Sequence, residues 1–181
     1  MSLKPKVIAI VGPTATGKSD LAVYIAQKIQ GEIISADSRQ VYRGLDIGSG
    51  KITADEMQGI PHHLLDVFSP KKVYSVEHFK NDASKAVTVI LKNKKIPIIA
   101  GGTGFYIDAL ISGEEFPAVP PNKKLRAQLE KMSTETLVKK IKLLDARRAS
   151  KLDLQNRVRI IRAIEIATAL GYVPRVKKNK R

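Results

Sequence analysis

The sequence predicts an α/β fold of the P-loop NTPase-like kind, a parallel sheet with helices on both faces, followed by a basic helical segment. Three observations carry that expectation. Apolar runs of four or five residues alternate with helix-spaced segments over the first 112 residues, the pattern of strands joined by crossover helices. A glycine-rich phosphate-binding sequence follows the first apolar run. Beyond a proline-rich stretch the strand signal stops and only helical spacing remains.

Val7–Val11 is β-branched and apolar and ends at Gly12-Pro13, so it reads as a buried strand. From Gly17 to Ile29 the apolar residues Leu21, Ala22, Ile25 and Ile29 share one face of a helix that stops at Gly31. Ile33-Ile34 opens a second strand that ends near Asp37. Val76 to Leu91 places Phe79, Ala83, Ala86, Val87 and Ile90 on one side of a helix. Ile96 to Ala100 is the third strand, closed by Gly101-Gly102, and Thr103 to Ile111 the helix after it.

Glu114 to Pro121 is turn-rich, with Pro117, Pro120 and Pro121, and marks a boundary. The expected organisation is a P-loop core over 1–115, a helical segment over 116–174 and a mobile basic tail over 175–181. Asn122 is expected to cap a helix through Met132, and Thr134 one carrying Leu137, Ile141 and Leu144. A third helix runs from about Leu154 to Leu170 and stops at Gly171.

The chain has 181 residues, no cysteine and a formal net charge of +15. Its composition is globular rather than disordered. Lack of cysteine fits a reducing compartment, and no run approaches the ~20 apolar residues of a membrane span. A cytoplasmic protein without membrane contact, acting as a monomer, is expected. Residues 1–121 carry a net charge of only +2, and residues 122–181 carry +13. Lys139, Lys140, Lys142, Arg147, Arg148, Arg157, Arg159 and Arg162 supply much of that excess. A solvated helix face is the ordinary reading of such charges; their density points instead to a polyanion such as nucleic acid.

The chemistry-bearing segment is Gly12-Pro13-Thr14-Ala15-Thr16-Gly17-Lys18-Ser19, which fits G-x-x-x-x-G-K-[ST] between a strand and a helix. Backbone N–H groups at the helix start can face an anion, Lys18 adds a positive charge, and the Ser19 hydroxyl can ligate Mg²⁺. The motif implies a bound polyphosphate and leaves open whether it is ATP or another diphosphate. Asp37, at the carboxyl end of the second strand, stands where open parallel sheets bind ligands. It suits a general base or an outer ligand of Mg²⁺; a turn aspartate is the plainer alternative. Gly101-Gly102-Thr103-Gly104 is a second strand-to-helix turn able to face the same crevice. Leu64-Leu65-Asp66 is either a strand ending in a Walker-B-type aspartate or a turn before Ser69-Pro70. His62-His63 lacks a third ligand nearby in sequence, so zinc is not expected.

Taken together, GPTATGKS at 12–19, SADSRQVYRGLDIG at 35–48, GIPHHLLDV at 59–67, YSVEHFKNDA at 74–83, PIIAGGTGFYIDAL at 97–110 and NRVRIIRAIEI at 156–166 resemble the tRNA dimethylallyltransferase family. The resemblance implies Mg²⁺-dependent transfer of a dimethylallyl group from its diphosphate to N6 of the adenosine 3′-adjacent to the anticodon. It makes Gly12, Pro13, Thr14, Ala15, Thr16, Gly17, Lys18 and Ser19 the diphosphate cradle, Asp37 the base at the N6 amine, and Thr103 a lining residue of the reaction channel. Asp37, Ser38, Arg39, Gln40, Thr103, Arg126, Val158, Arg159, Ile160, Ile161 and Arg162 are the implied contacts to tRNA, through its anticodon stem-loop. Ile47-Gly48-Ser49-Gly50-Lys51 departs from the family's usual threonine-alanine-lysine-proline ending. Family members also continue well past the helix that ends at Gly171, so the sequence reads as a fragment or a shortened member. Two other functions fit the residues: a small-molecule P-loop kinase, and a truncated, non-catalytic tRNA-binding protein.

Overall fold

The computed structural model describes residues 6–113 and 116–175. They form two compact units, one within residues 1–114 and one within 115–177. The expected tail falls almost wholly on residues 176–181, outside the described residues.

The first unit is built on four parallel strands in the order β1-β4-β2-β3, where β1 is Ile8–Val11, β2 Gly31–Ser35, β3 His62–His63 and β4 Ile96–Gly101. Ile8 to Val11 pair in register with Ile98 to Gly101, and Gly31 to Ser35 with Ile96 to Ala100. Side chains alternate between sheet faces, and the paired isoleucines show it. Ile33 and Ile98 pack with Ala22, Val23 and Ala26 of α1 (Lys18–Ile29). Ile34 and Ile99 pack on the other face with Phe79, Ala83 and Ile90 of α3 (Val76–Lys92) and Tyr106 and Ile107 of α4 (Gly104–Ile111). All five residues of β2 are buried, as a strand covered on both faces requires. In β1, at the sheet edge, Ala9 and Val11 are exposed.

The expected strands and helices of this unit form, with ends moved by one or two residues. Of the two readings open for Leu64-Leu65-Asp66, a strand end or a turn, the turn holds. The strand there is the preceding pair His62–His63, and Leu64 and Asp66 take left-handed backbone conformations, with φ of 65° and 54°. Such angles end a strand rather than continue one, so Asp66 does not crown a strand. It holds Lys51 instead. His63 Nε2 meets the Glu32 carboxylate at 2.7 Å, and His62 Nδ1 meets the Ile60 carbonyl at 2.8 Å. A short helix not expected from the apolar pattern, α2 (Ala54–Met57), follows Thr53, which forms a reciprocal capping box with Glu56.

The second unit is helical: α5 (Lys123–Glu130), α6 (Thr134–Leu144), α7 (Ala146–Ala149) and α8 (Arg157–Leu170). Leu129, Leu137, Ile141, Ile160 and Ile164 make its core. Asn122 caps α5 as expected, its side chain accepting the Leu125 N–H at 3.0 Å. The cap of α6 is Ser133, not Thr134, because Ser133 is the residue whose hydroxyl reaches the Thr136 N–H. α8 starts three residues later than its apolar pattern suggests, since Asn156 caps it through the Arg159 N–H at 3.1 Å. Asp145 caps the unanticipated α7 and also accepts the Val173 N–H at 2.8 Å.

Candidate phosphate-binding and RNA-facing sites

At the carboxyl end of β1 the chain turns through Gly12 to Gly17 into α1. Gly17 is left-handed, with φ of 73°, and Ala15 with φ of 61° is close to it. Glycine takes that conformation without strain. The turn aims the first N–H groups of α1, which have no partner within the helix, into a cleft of about 400 Å³. Residues 14–20 line it, and Lys18 Nζ folds back to donate to the Pro13 carbonyl. Helix-start N–H groups, an ammonium and a hydroxyl in one concavity make an anion site.

Asp37 and Gln40 line the same cleft, reached from β2. Asp37 is half-buried and its Oδ1 accepts the N–H groups of Arg39 at 2.7 Å and Gln40 at 3.3 Å. That Asx-type turn fixes the carboxylate while using only one of its oxygens. Thr103 fixes the turn from the other side: its hydroxyl accepts the Ser38 N–H at 3.2 Å, and its own N–H donates to the Ala36 carbonyl at 3.2 Å. The geometry therefore gives Thr103 a positioning part next to the cleft. Gly101 lets β4 pass close to Ala36, since a Cβ there would lie 2.3 Å from the Ala36 oxygen.

Ser49, Gly50, Ile52 and Glu56 form part of the wall, and sequence reasoning missed them. Gln40 Nε2 donates to the Gly50 carbonyl at 3.0 Å. Lys51 pins the segment: its buried ammonium reaches Asp46 at 2.6 Å, Asp66 at 2.5 Å and the Tyr42 carbonyl at 3.0 Å. Burial pulls that ammonium's pKa down, but the two carboxylates outweigh burial and raise it. The signal was present in Lys51 itself, a charged residue amid small ones, but its partners lie 5 and 15 residues away.

In the helical unit the expected RNA contacts separate. Ile160 and Ile161 belong to the core, at 0% and 7% exposure, so their side chains face helices and not a ligand. Val158 is exposed and Arg159 beside it is exposed too. Arg157 turns inward to cap the end of α5, donating to the Glu130 carbonyl at 3.2 Å and the Met132 carbonyl at 2.9 Å. Arg126 and Arg162 are half-exposed and share one buried partner, Glu165. Arg126 Nε and Nη2 reach its two oxygens at 2.9 and 2.8 Å, and Arg162 Nη1 reaches Oε2 at 2.6 Å. The Asn122 N–H adds a contact of 2.5 Å.

Burial alone pushes the Glu165 carboxyl up, yet the bonds from Arg126, Arg162 and Asn122 outweigh it and hold the pKa at about 2. A carboxylate whose folded pKa lies below its unfolded value stabilises the fold above the unfolded pKa, here 4.5. That stability, about 3 kcal/mol, is lost as pH falls from 4.5 toward about 2. Unfolding by denaturant at pH 6 and pH 3 should show the loss in the helical unit. A Glu165→Gln chain should show a shallower acid dependence; an identical slope would exclude Glu165 as its source.

A P-loop at the carboxyl edge of a parallel sheet, with a carboxylate fixed across the cleft, places the fold in the P-loop NTPase-like class. Within that class the chain belongs to the IPP transferase family, whose model matches residues 40–180. A tRNA dimethylallyltransferase of Leuconostoc citreum is 46% identical over 162 residues, 90% of this chain and 55% of its own length. That of Staphylococcus carnosus is 47% identical over 169 residues, 90% of this chain and 54% of its own. A crystal structure of a eukaryotic dimethylallyltransferase acting on tRNA superposes with a TM-score of 0.78 at 30% identity, covering 97% of this chain and 43% of that one. The full-length tRNA isopentenylpyrophosphate transferase of Bacillus halodurans gives 0.63 at 40% identity, covering 93% and 57%. The chain thus spans about half the length of the curated relatives it matches. Among the described residues no helix is long and apolar enough to cross a membrane.

Proposed function

We propose that this chain carries the reaction core of a tRNA dimethylallyltransferase. The supporting observation is that the P-loop and Asp37 share one cleft. The diphosphate of dimethylallyl diphosphate lies on the N–H groups at the start of α1, with Lys18 drawn from the Pro13 carbonyl onto it. The target adenine, flipped from its stack, brings its N6 amine to Asp37. As the allylic C–O bond breaks, the diphosphate leaves with its electron pair, the N6–C bond forms, and the N6 proton passes to Asp37. Thr103 keeps the Asp37 turn in place through the Ser38 N–H.

The residues fit Mg²⁺. Ser19 and Asp37 offer oxygens to the cleft, and no group of three His, Cys, Asp or Glu side chains gathers into a metal cage among the described residues. Few protein oxygens plus substrate phosphates is the way Mg²⁺ is usually held. Bound there, it would supply neutralisation of the departing diphosphate. On this proposal the protein is cytoplasmic and monomeric, and Asp37 to Gln40, Val158 and Arg159 are contacts to tRNA.

The test mixes the chain with dimethylallyl diphosphate, Mg²⁺ and unmodified tRNA, then digests the RNA and weighs its nucleosides. N6-dimethylallyl-adenosine is the expected product, absent with Lys18→Ala. Salt-dependent tRNA binding without product would leave a binding protein in place of an enzyme.

A further inference from the structure

Ser49 and Gly50 wall one side of the cleft, yet hydrophobic burial does not hold them there. No residue of the turn Ile47–Ser49 is buried, and the Ile47 side chain is 99% exposed. Polar bonds fix the wall instead. Gln40 Nε2 donates to the Gly50 carbonyl at 3.0 Å and to the Ser49 carbonyl at 3.4 Å, and the Ser35 hydroxyl donates to Gln40 Oε1 at 3.4 Å. The Gln40 carbonyl accepts the Asp66 N–H at 3.3 Å. Lys51 closes this ring: it follows Gly50 in the chain, and its ammonium binds Asp46, Asp66 and the Tyr42 carbonyl. Gln40 is thereby held on two sides, and its own N–H is one of the two that fix Asp37.

An ammonium one residue from the cleft wall would ordinarily suit a phosphate. Lys51 is not free for that part. Its three N–H donors have three partners, and its side chain is only 5% exposed. The carboxylates do not need it either, because Asp46 and Asp66 are 65% and 49% exposed and water can solvate them. Stability alone does not call for a buried ammonium, since an apolar side chain of similar volume often serves as well. What the charge adds is one fixed arrangement of three segments, 40–42, 46–50 and 64–66.

We propose that Lys51 is the positioning residue of this cleft: through Gln40, Ser49 and Gly50 it sets the place of the Asp37 carboxylate without touching substrate. The inference rests on the transferase reading above and deepens it.

Lys51→Met keeps the length of the side chain and removes its charge and donors. Single-turnover dimethylallyl transfer to tRNA, per folded molecule and well below the melting temperature, should fall roughly ten- to a hundred-fold, the cost of a group misplaced by about an ångström. Affinity for inorganic diphosphate should change less than about three-fold, because the start of α1 and Lys18 hold that group. Gln40→Ala breaks the same ring, so the double variant should transfer no more than about three-fold more slowly than Gln40→Ala alone. A merely structural role would lower the melting temperature and leave transfer per folded molecule at the parent's level. That result overturns the proposal, and so do losses that multiply in the double variant. A second readout needs no activity. The Gln40 side-chain amide resonances should stand apart from those of exposed glutamines in the parent and merge with them in Lys51→Met. A folded variant with the parent's Gln40 resonances also overturns the proposal. If Lys51→Met fails to fold, the Asp46→Asn/Asp66→Asn pair, altered at two partly exposed positions, decides by the same readouts. A parent that makes no dimethylallyl-adenosine, with a Gln40 amide released in Lys51→Met, would sink the transferase reading and keep Lys51 as the residue that sets the wall. An active parent whose transfer and Gln40 resonances ignore the substitution would sink the positioning role alone.

Discussion

Asp37→Asn is expected to lower prenyl transfer by a factor of 10² to 10⁴, the range a positioned general base contributes. Asparagine has the shape of aspartate and keeps an acceptor oxygen for the Arg39 and Gln40 N–H groups, so the turn survives. The Ser38 bond to Thr103 survives with it. What disappears is the basic oxygen to which the proposed mechanism passes the N6 proton. Single-turnover transfer at saturating tRNA should therefore drop while tRNA affinity changes less than about three-fold, a shift of under about 0.7 kcal/mol. Transfer at the parental rate would show that the proton leaves by another route, and Asp37 would revert to a turn aspartate.

Gly101→Ala is expected to destabilise the first unit by about 3 kcal/mol, the upper part of the range for forced overpacking. The added Cβ would stand 2.3 Å from the Ala36 oxygen and 2.5 Å from its carbon. Both are backbone atoms, which no rotamer change can move. The clash lies between two strands whose pairing is fixed, since Ala36 N–H donates to the Ala100 carbonyl at 2.8 Å and Gly101 pairs with Val11. Relief means pulling β2 from β4 and moving Asp37, the residue after Ala36. A melting point lower by ten degrees or more, with weaker transfer in the folded remainder, is the expected result. An unchanged melting point would show that the strands are further apart than described. Gly17→Ala acts differently: its Cβ meets nothing within 4 Å, so its cost comes from the left-handed backbone alone, about 1 kcal/mol.

The strands and helices of the P-loop core were legible because their signals are local. Ile33-Ile34 and Ile96 to Ala100 are short apolar runs, and Phe79, Ala83 and Ile90 repeat at helical spacing. Where a local signal is weak, the sequence leaves alternatives. Leu64-Leu65-Asp66 reads equally as a strand end or a turn, and the structure bends the chain there, with positive φ at Leu64 and Asp66 and Asp66 drawn to Lys51. Val158 to Arg162 looks like one basic RNA-facing stretch. Its helix turns Ile160 and Ile161 into the core and leaves Val158 and Arg159 outside.

Sequence by itself determined the phosphate site and the partition of charge. A P-loop's chemistry is contained in eight consecutive residues, and net charge does not depend on where the chain goes. Only the tertiary structure decided which charges are spent inside the protein. Arg126 and Glu165 are 39 residues apart, and Ser38 and Thr103 are 65 apart. Nothing in either neighbourhood specifies the other, because an ion pair or a hydrogen bond forms wherever packing brings its halves within about 3 Å. The same fold that joins Thr103 to the Asp37 turn also turns Arg157 onto backbone carbonyls of its own unit and fastens Arg126 and Arg162 to one carboxylate.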